Sequence, residues 1–577
     1  MAIKQDIEEY LEKERDCILR EQEENQQLPE DEKVEKGLLV RNAVLNDFDP
    51  DRKQAFFTCT ENNSKFRTGD RIDIVSNGKR FDALVVENGL EEITVQVGDD
   101  FIRRRPGAVL SLEAKGVCLV DNILALLAEI VPGASGYPFL IQLSTSEEER
   151  QKRPVPIPAE LNGLGGVTPY EASLRAAEAN PCFYCIQGPP GSGKTALLSD
   201  IASRLNEHGK SVLIIANTHQ AVNNALSAIH GRNPNSFTAK IGSWLKRDKL
   251  VPGIRHFKNL WTCASAMRAE HRDAPAVGMT FLSAVLEVGL KKSGFIPDAV
   301  LVDEASQISL PYASILGRFR APSIFFFGDE RQMPPIFRAE LQDSPLSKSI
   351  FEHLKSIYPA LSVTLDKTYR MNDEICYVIQ KSFYPDISLR PDDSVRDKRF
   401  SSELSRSSQH PNSAVQNIFN DDKSVQLLIS GDENALDSNE QEAELAKEIV
   451  CETLKLLQDR PEISKKDRIA VITPFRRQAR LIRGKLRAAG IDAKNMPLVD
   501  TVERLQGQQV DVIVLSFCSS DYEYIRNNFS FLFDPRRTNV MISRAKTKVV
   551  IIASERLIGM DSHNPVGALL QRIRSGE

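Results

Sequence analysis

The chain has 577 residues, enough for about three to five compact units at roughly 100–200 residues each. With 41% hydrophobic and 27% charged residues it holds apolar material for several cores, which excludes disorder of the chain as a whole. Net charge is −5, yet residues 1–37 carry 13 Asp/Glu against 6 Lys/Arg, so the remainder sums to +2 and argues neither for nor against a nucleic-acid partner.

No apolar run reaches the ~18 residues a membrane span needs, and the opening MAIKQDIEEYLEKERD is acidic where a secretory signal is basic and then apolar. A cytoplasmic protein with no membrane partner is expected. Nine scattered cysteines fit a reducing compartment, and the one close pair, Cys182 and Cys185, reads as strand cysteines rather than a zinc or redox pair.

Residues 1–48 are expected to form a stalk region, because Ile3, Ile7, Leu11, Ile18 and Leu19 recur on one face of an otherwise Glu- and Lys-rich helix. Residues 49–144 read as a small β-barrel module with a returning helix, DNILALLAEIV. Asn77-Gly78 and Asn88-Gly89, each between β-rich runs, are its hairpin signals. A proline-spaced polar linker is expected at 145–166. From 167 onward, short apolar runs alternate with helical stretches, the pattern of parallel sheets with crossover helices. This gives two α/β domains, 167–360 and 361–577. The second is interrupted by a Ser-, Asp- and Pro-rich stretch near 386–420, expected as a mobile insertion.

GPPGSGKT, comprising Gly188, Pro189, Pro190, Gly191, Ser192, Gly193, Lys194 and Thr195, follows the apolar run FYCI. Glycines in such a loop let backbone N–H groups approach phosphate oxygens. The lysine supplies a point charge and the threonine hydroxyl can ligate Mg²⁺, so a nucleotide with Mg²⁺ is the expected ligand. VLVDEASQ ends an apolar strand in Asp303-Glu304. A carboxylate at a strand's end can hold Mg²⁺ while its neighbour orients or deprotonates water.

From about 167 to 555 the chain resembles a superfamily 1 helicase of class B, of the nonsense-mediated-decay helicase type. The resemblance rests on ANTHQAVNNA (216–225), VDEASQ, GDERQMPP (328–335), LDKTYRMND (365–373), ITPFRRQ (472–478), VDTVERLQGQQVDVIVLSF (499–517) and DPRRTNVMISRAK (534–546). It implies two RecA-like P-loop domains sandwiching ATP. Asp303 and Thr195 would hold Mg²⁺, Glu304 would activate water, and Gln332 would sense the γ-phosphate. Arg370 and Arg544 would act as arginine fingers, and Tyr369 would stack on adenine.

The resemblance also implies that Thr218, His219, Thr280, Pro334, Thr473, Thr501 and Ser516 follow the backbone of a single strand without reading its sequence. Three positions depart from the family pattern. Glu171 stands where a Gln reads adenine, Gln509 stands where an acidic residue lies near the ribose, and Thr368 stands where a Gln commonly precedes the Tyr-Arg pair. Together they are expected to alter base and sugar selectivity. Arg103, Arg104 and Arg105 are a further basic cluster in the barrel module, a solvated face or a phosphate contact.

The expected activity is an ATP-driven translocase or helicase on single-stranded nucleic acid, DNA or RNA, with 5′→3′ polarity implied by the resemblance. The alternative is a nucleic-acid-stimulated ATPase acting as a nucleotide-gated clamp or regulatory subunit. It would dock protein partners through the acidic N-terminal helix or the 386–420 stretch.

Overall fold

In the computed structural model, six antiparallel strands close into a barrel in the order β1-β2-β5-β4-β3-β6. They are β1 (Leu39–Asp49), β2 (Gln54–Thr58), β3 (Arg71–Ser76), β4 (Lys79–Asn88), β5 (Glu92–Val97) and β6 (Val109–Ala114). Burial alternates along β3 and β5, as it must where every second side chain points into a barrel. The β4–β5 hairpin turns at Asn88-Gly89, and β3 and β4 pair as a hairpin up to Ser76 and Lys79.

The structure describes residues 2–576 apart from 51, 61, 67–69, 77, 90, 102–105, 117, 132–136, 145, 153, 162–165, 243–249, 271–273, 288, 338–343, 461, 493 and 506–507. Asn77 and the Arg103–Arg105 cluster therefore lie outside the described residues.

Strand β1 falls inside the region expected to be stalk. The stalk is the helix Ala2–Gln27, whose Ile3, Ile7, Tyr10 and Leu11 are buried in one core with Val120, Ile123 and Leu127 of the returning helix and with the first α/β domain. Ile18 is partly buried and Leu19 is exposed. The barrel is thus carried on helices that are part of the first domain's core.

The first parallel sheet runs β10-β9-β11-β8-β12-β13-β7-β14. Its strands are β7 (Phe183–Gln187), β8 (Val212–Ala216), β9 (Thr238–Ile241), β10 (Arg255–Phe257), β11 (Ala276–Thr280), β12 (Ala299–Asp303), β13 (Ser323–Gly328) and β14 (Ser362–Thr364). Every residue of β7, β8, β11, β12 and β13 is buried, because helices cover both faces. Strand β14 pairs with β7 beyond residue 360, so the first sheet extends past the boundary expected from sequence. Cys185 is buried in β7, Cys182 stands just before that strand, and burial raises both thiols; neither is in a disulfide.

A two-residue ribbon, β15 (Lys367–Thr368) with β16 (Arg390–Pro391), leads into the second parallel sheet. That sheet runs β17-β21-β20-β18-β19, with β17 (Val425–Ser430), β18 (Ile469–Ile472), β19 (Leu498–Asp500), β20 (Val510–Ser516) and β21 (Ala545–Ser554). Both sheets with their helices are RecA-like α/β units. The 386–420 stretch, expected as a mobile insertion, is folded. It forms the helix Ser413–Asn420 and two shorter turns, and its Phe400, Val415, Ile418 and Phe419 share a core with Ile449 and Val450 of the helix Glu440–Leu456.

Candidate nucleotide site and nucleic-acid interface

At the end of β7 the chain turns through Gly188–Thr195 into the helix Lys194–Glu207. Gly191 (φ +73°) and Gly193 (φ +83°) occupy the left-handed region. A Cβ at Gly191 would stand 2.5 Å from Thr368 Oγ1, and one at Gly188 would stand 2.2 Å from Lys194 Cγ. The loop is therefore packed too closely for side chains. The Lys194 ammonium donates to the Gly188 carbonyl, and Ser192 Oγ is buried with no partner among the described residues. A tight glycine loop with an unpartnered buried hydroxyl and a lysine folded over it fits a phosphate chain.

Asp303 closes β12, and Glu304 follows at φ +54°, a strained conformation for a non-glycine residue. The turn lets Glu304 N–H donate to Asp303 Oδ1 at 2.9 Å, while Gln307 Nε2 donates to Glu304 Oε2 at 3.3 Å. Burial, and next the Glu304 charge, push the Asp303 carboxyl up to about 7, with Lys194 opposing. A divalent cation beside Thr195 would reverse that shift, so the donor set fits Mg²⁺.

From the second domain, Arg370 donates through Nε to Gln509 Oε1 at 3.1 Å and through Nη1 to the Ser543 carbonyl at 2.9 Å. Arg544 Nη2 lies 3.5 Å from Gln332 Oε1, and its Nε has no partner among the described residues. Burial, and then the Arg544 charge, lower Arg370 to about 9; burial also lowers Arg544. Two guanidiniums that repel each other, Arg544 buried and Arg370 partly so, make a site that gains from an incoming polyanion. Tyr369 is held by its N–H on the Gly191 carbonyl at 2.8 Å, and its half-exposed ring faces Gly193.

These groups share one cleft of about 2090 Å³, lined by the P-loop, Asp303, Glu304, Gln332, Tyr369, Arg370, Gln509 and Arg544. Glu171, expected beside adenine, is absent from its lining. It sits in the first turn of the helix Pro169–Ala179, exposed, 3.5 Å from Arg175.

The same cleft continues past Thr218, His219, Thr280, Pro334 and Thr501. Thr218 and Thr280 cap helices, their hydroxyls accepting from Ala221 and Ser283 N–H groups. Thr473 and Ser516, expected on the strand path, are fully buried and do not line it. Ser516 Oγ donates to Glu442 Oε2 at 2.7 Å and accepts from Gln478 at 3.0 Å, so its hydroxyl is committed to the domain interior.

Sequence reasoning missed Arg476, Arg477 and Arg480, which line the cleft from the first turns of the helix Arg476–Ala488. The signal was present in FRRQAR, since residues at i and i+4 of a helix share a face. It also missed the barrel's share of the lining, Asn63, Ser64 and Phe66. Arg476 donates to the Ser64 carbonyl, and Arg487 is paired with Glu91, so the barrel touches the second domain.

Two family models match the chain, each described as an AAA domain, over residues 171–338 and 346–556. An uncharacterised ATP-dependent helicase of Methanocaldococcus jannaschii is 30% identical over 269 residues, 46% of this chain and 37% of that protein. The DNA replication ATP-dependent helicase/nuclease of Schizosaccharomyces pombe is 26% identical over 425 residues, 70% of this chain and 29% of its own. Its human counterpart is 27% identical over 445 residues, covering 72% and 39%. The chain is similar to ATP-dependent helicases across both of its α/β domains. It spans well under half the length of these curated relatives. The P-loop and Asp303-Glu304 lie within the AAA match over 171–338, and Arg370 and Arg544 within the match over 346–556.

Proposed function

We propose that this protein is an ATP-driven translocase or helicase on single-stranded nucleic acid, moving 5′→3′. The carrying observation is that groups from both domains converge on one cleft, which continues without a break into a surface lined by Thr218, Thr280, Thr501 and three arginines. Bound with ATP, Mg²⁺ held by Asp303 and Thr195 would neutralise charge on the phosphates. Glu304 takes the proton of the attacking water, Gln332 orients that water, and Arg370 and Arg544 stabilise charge developing on the transferred phosphoryl group. Because the arginines arrive from the second domain, hydrolysis alters the attraction between the domains, and this alternation moves the strand.

The names of two relatives attach them to DNA replication, which makes single-stranded DNA the first substrate to try. The nine cysteines, all unpaired, suit a cytoplasmic setting. A second reading, a nucleotide-gated clamp, draws support from the Arg487–Glu91 bridge between barrel and second domain. Protein partners would then dock on the acidic N-terminal helix or the 386–420 stretch. ATP hydrolysis measured with and without matched DNA and RNA strands tests the first step, and displacement of a labelled strand from a tailed duplex tests the second. Stimulation without displacement favours the clamp; no stimulation by either strand overturns both.

A further inference from the structure

Asp329, immediately after β13, is a buried carboxylate shared by the two domains. Its Oδ1 accepts from the Arg331 N–H at 3.2 Å and Gln187 Nε2 at 3.3 Å, both of the first domain. Its Oδ2 accepts from Gln332 Nε2 at 2.7 Å and from the Tyr384 hydroxyl at 2.5 Å. Tyr384 belongs to the second domain, where it follows the helix Asp373–Phe383 and is fully buried.

The Tyr384 oxygen in turn accepts from Asn539 Nδ2 at 2.8 Å. Asn539 lies on the helix Pro535–Ile542, the element that delivers Arg544. It also donates to the Arg331 carbonyl at 2.7 Å, and the Arg331 guanidinium lies 5.3 Å from the centre of the Tyr384 ring. A hydrogen-bonded path therefore runs Gln332–Asp329–Tyr384–Asn539 from one domain into the other. Gln332, at the first-domain end of this path, also faces Arg544, which follows the helix that carries Asn539, across the cleft.

The direction of each bond is dictated by chemistry. A tyrosine hydroxyl has one proton, and here it goes to Asp329, so the Asn539 amide must be the donor to the oxygen. An ionised carboxylate only accepts, so Gln332 must turn its NH₂ toward Asp329. That leaves Oε1 facing Arg544 and any water placed there. The Gln332 carbonyl thus faces the cleft because Asp329 is held, and Asp329 is held partly from the second domain.

We propose that Tyr384 is a positioning residue for hydrolysis: its hydroxyl fixes the Asp329 carboxylate, and through it the carbonyl-outward orientation of Gln332, so that the second domain sets the alignment of the first domain's sensor. This rests on the reading of the cleft as a hydrolytic nucleotide site.

The test is a double-substitution cycle on the full chain, reading strand-stimulated ATP hydrolysis. Tyr384→Phe keeps the ring and removes the proton. It should lower kcat at least about tenfold, the scale of one hydrogen bond to a buried charge, with KM for ATP within about twofold of the parent. In a Gln332→Ala background, Tyr384→Phe should change kcat by less than about twofold, because the group it positions is gone. A merely structural tyrosine would give effects that multiply. Should Tyr384→Phe fail to fold, Asn539→Ala enters the same cycle with the same expectation. An active parent with unchanged kcat in Tyr384→Phe, or multiplying effects, overturns the inference alone. A parent without strand-stimulated hydrolysis overturns the underlying reading and the inference with it.

Discussion

Arg544 and Gln332 face each other at 3.5 Å across the domain boundary, each more than nine-tenths buried. On the proposed function this guanidinium would meet the γ-phosphate beside the sensor amide, while Lys194 and the P-loop would hold the other phosphates. Arg544→Ala is therefore expected to cut hydrolysis by at least about a hundredfold. ATP affinity should stay within a few-fold, as read by binding of a fluorescent nucleotide beside steady-state turnover.

In the proposed mechanism Glu304 takes the proton of the attacking water. Glu304→Gln keeps the size of the side chain and its contact with Gln307. It should retain ATP and strand binding yet lose turnover by at least about a hundredfold, the scale of a missing general base. Near-normal turnover would remove Glu304 from that role.

Phosphate contacts release counterions, so strand affinity should fall steeply with salt and show little base preference. Arg480 lines the cleft one helical turn after Arg476. Arg480→Ala should weaken binding uniformly across unrelated strands and reduce the slope of log affinity against log salt by about 1. A variant that changed base preference instead would place a base edge at Arg480.

Glu171 is on the helix surface beside Arg175. Glu171→Gln should leave the relative rates with the four ribonucleoside triphosphates unchanged within about twofold, since an exposed ion pair is worth well under a kcal/mol and touches no nucleotide group. A marked rise in ATP preference would restore it to the adenine site.

Glu442 contributes a pH dependence of stability. Burial is the main cause of its rise to about 7 from an ordinary 4.5, against the hydrogen bonds from Ser516, Cys518 N–H and Ser430. Because the folded state holds this proton more tightly than the unfolded state, stability falls as pH climbs from about 4.5 to about 7 and then levels off. Asp303 adds a slope of the same sign. Glu442→Gln should remove the Glu442 share, so that melting temperatures at pH 5 and pH 8 lie closer together than in the parent. An unchanged gap would mean that Glu442 does not titrate in that window.

The groups that face the phosphates were legible because each occupies a short run of fixed spacing: a loop such as GPPGSGKT folds the same way wherever a strand feeds a helix. Strand β1 was not. Asn42 has a positive φ, and the pairing slips between Val40 and Ala43 and again between Leu45 and Asp47, so the alternation of apolar residues is broken. The 386–420 stretch is polar in composition, and only its few apolar residues, well separated in sequence, reveal that it packs. Ser516 ends an apolar strand much as a strand-contacting hydroxyl would, and only Glu442, on another helix, decides where it points. Tyr384 sits in FYPD, which reads as a helix end; its meaning lies in Asp329, 55 residues earlier.

The Glu91–Arg487 pair has a topological consequence. The barrel is fastened to the first domain by the helices Ala2–Gln27 and Val120–Ala128, and the second domain is joined to the first at the cleft. Where Arg487 pairs with Glu91 and Arg476 donates to the Ser64 carbonyl, barrel, first domain and second domain close a ring of contacts, and on the proposed function the strand would pass through it. A linear strand can be threaded through such a ring by its end. A covalently closed circle has no end, so it would enter only while those contacts are open, and once they re-formed it would be linked to the protein as one loop of a chain is linked to the next.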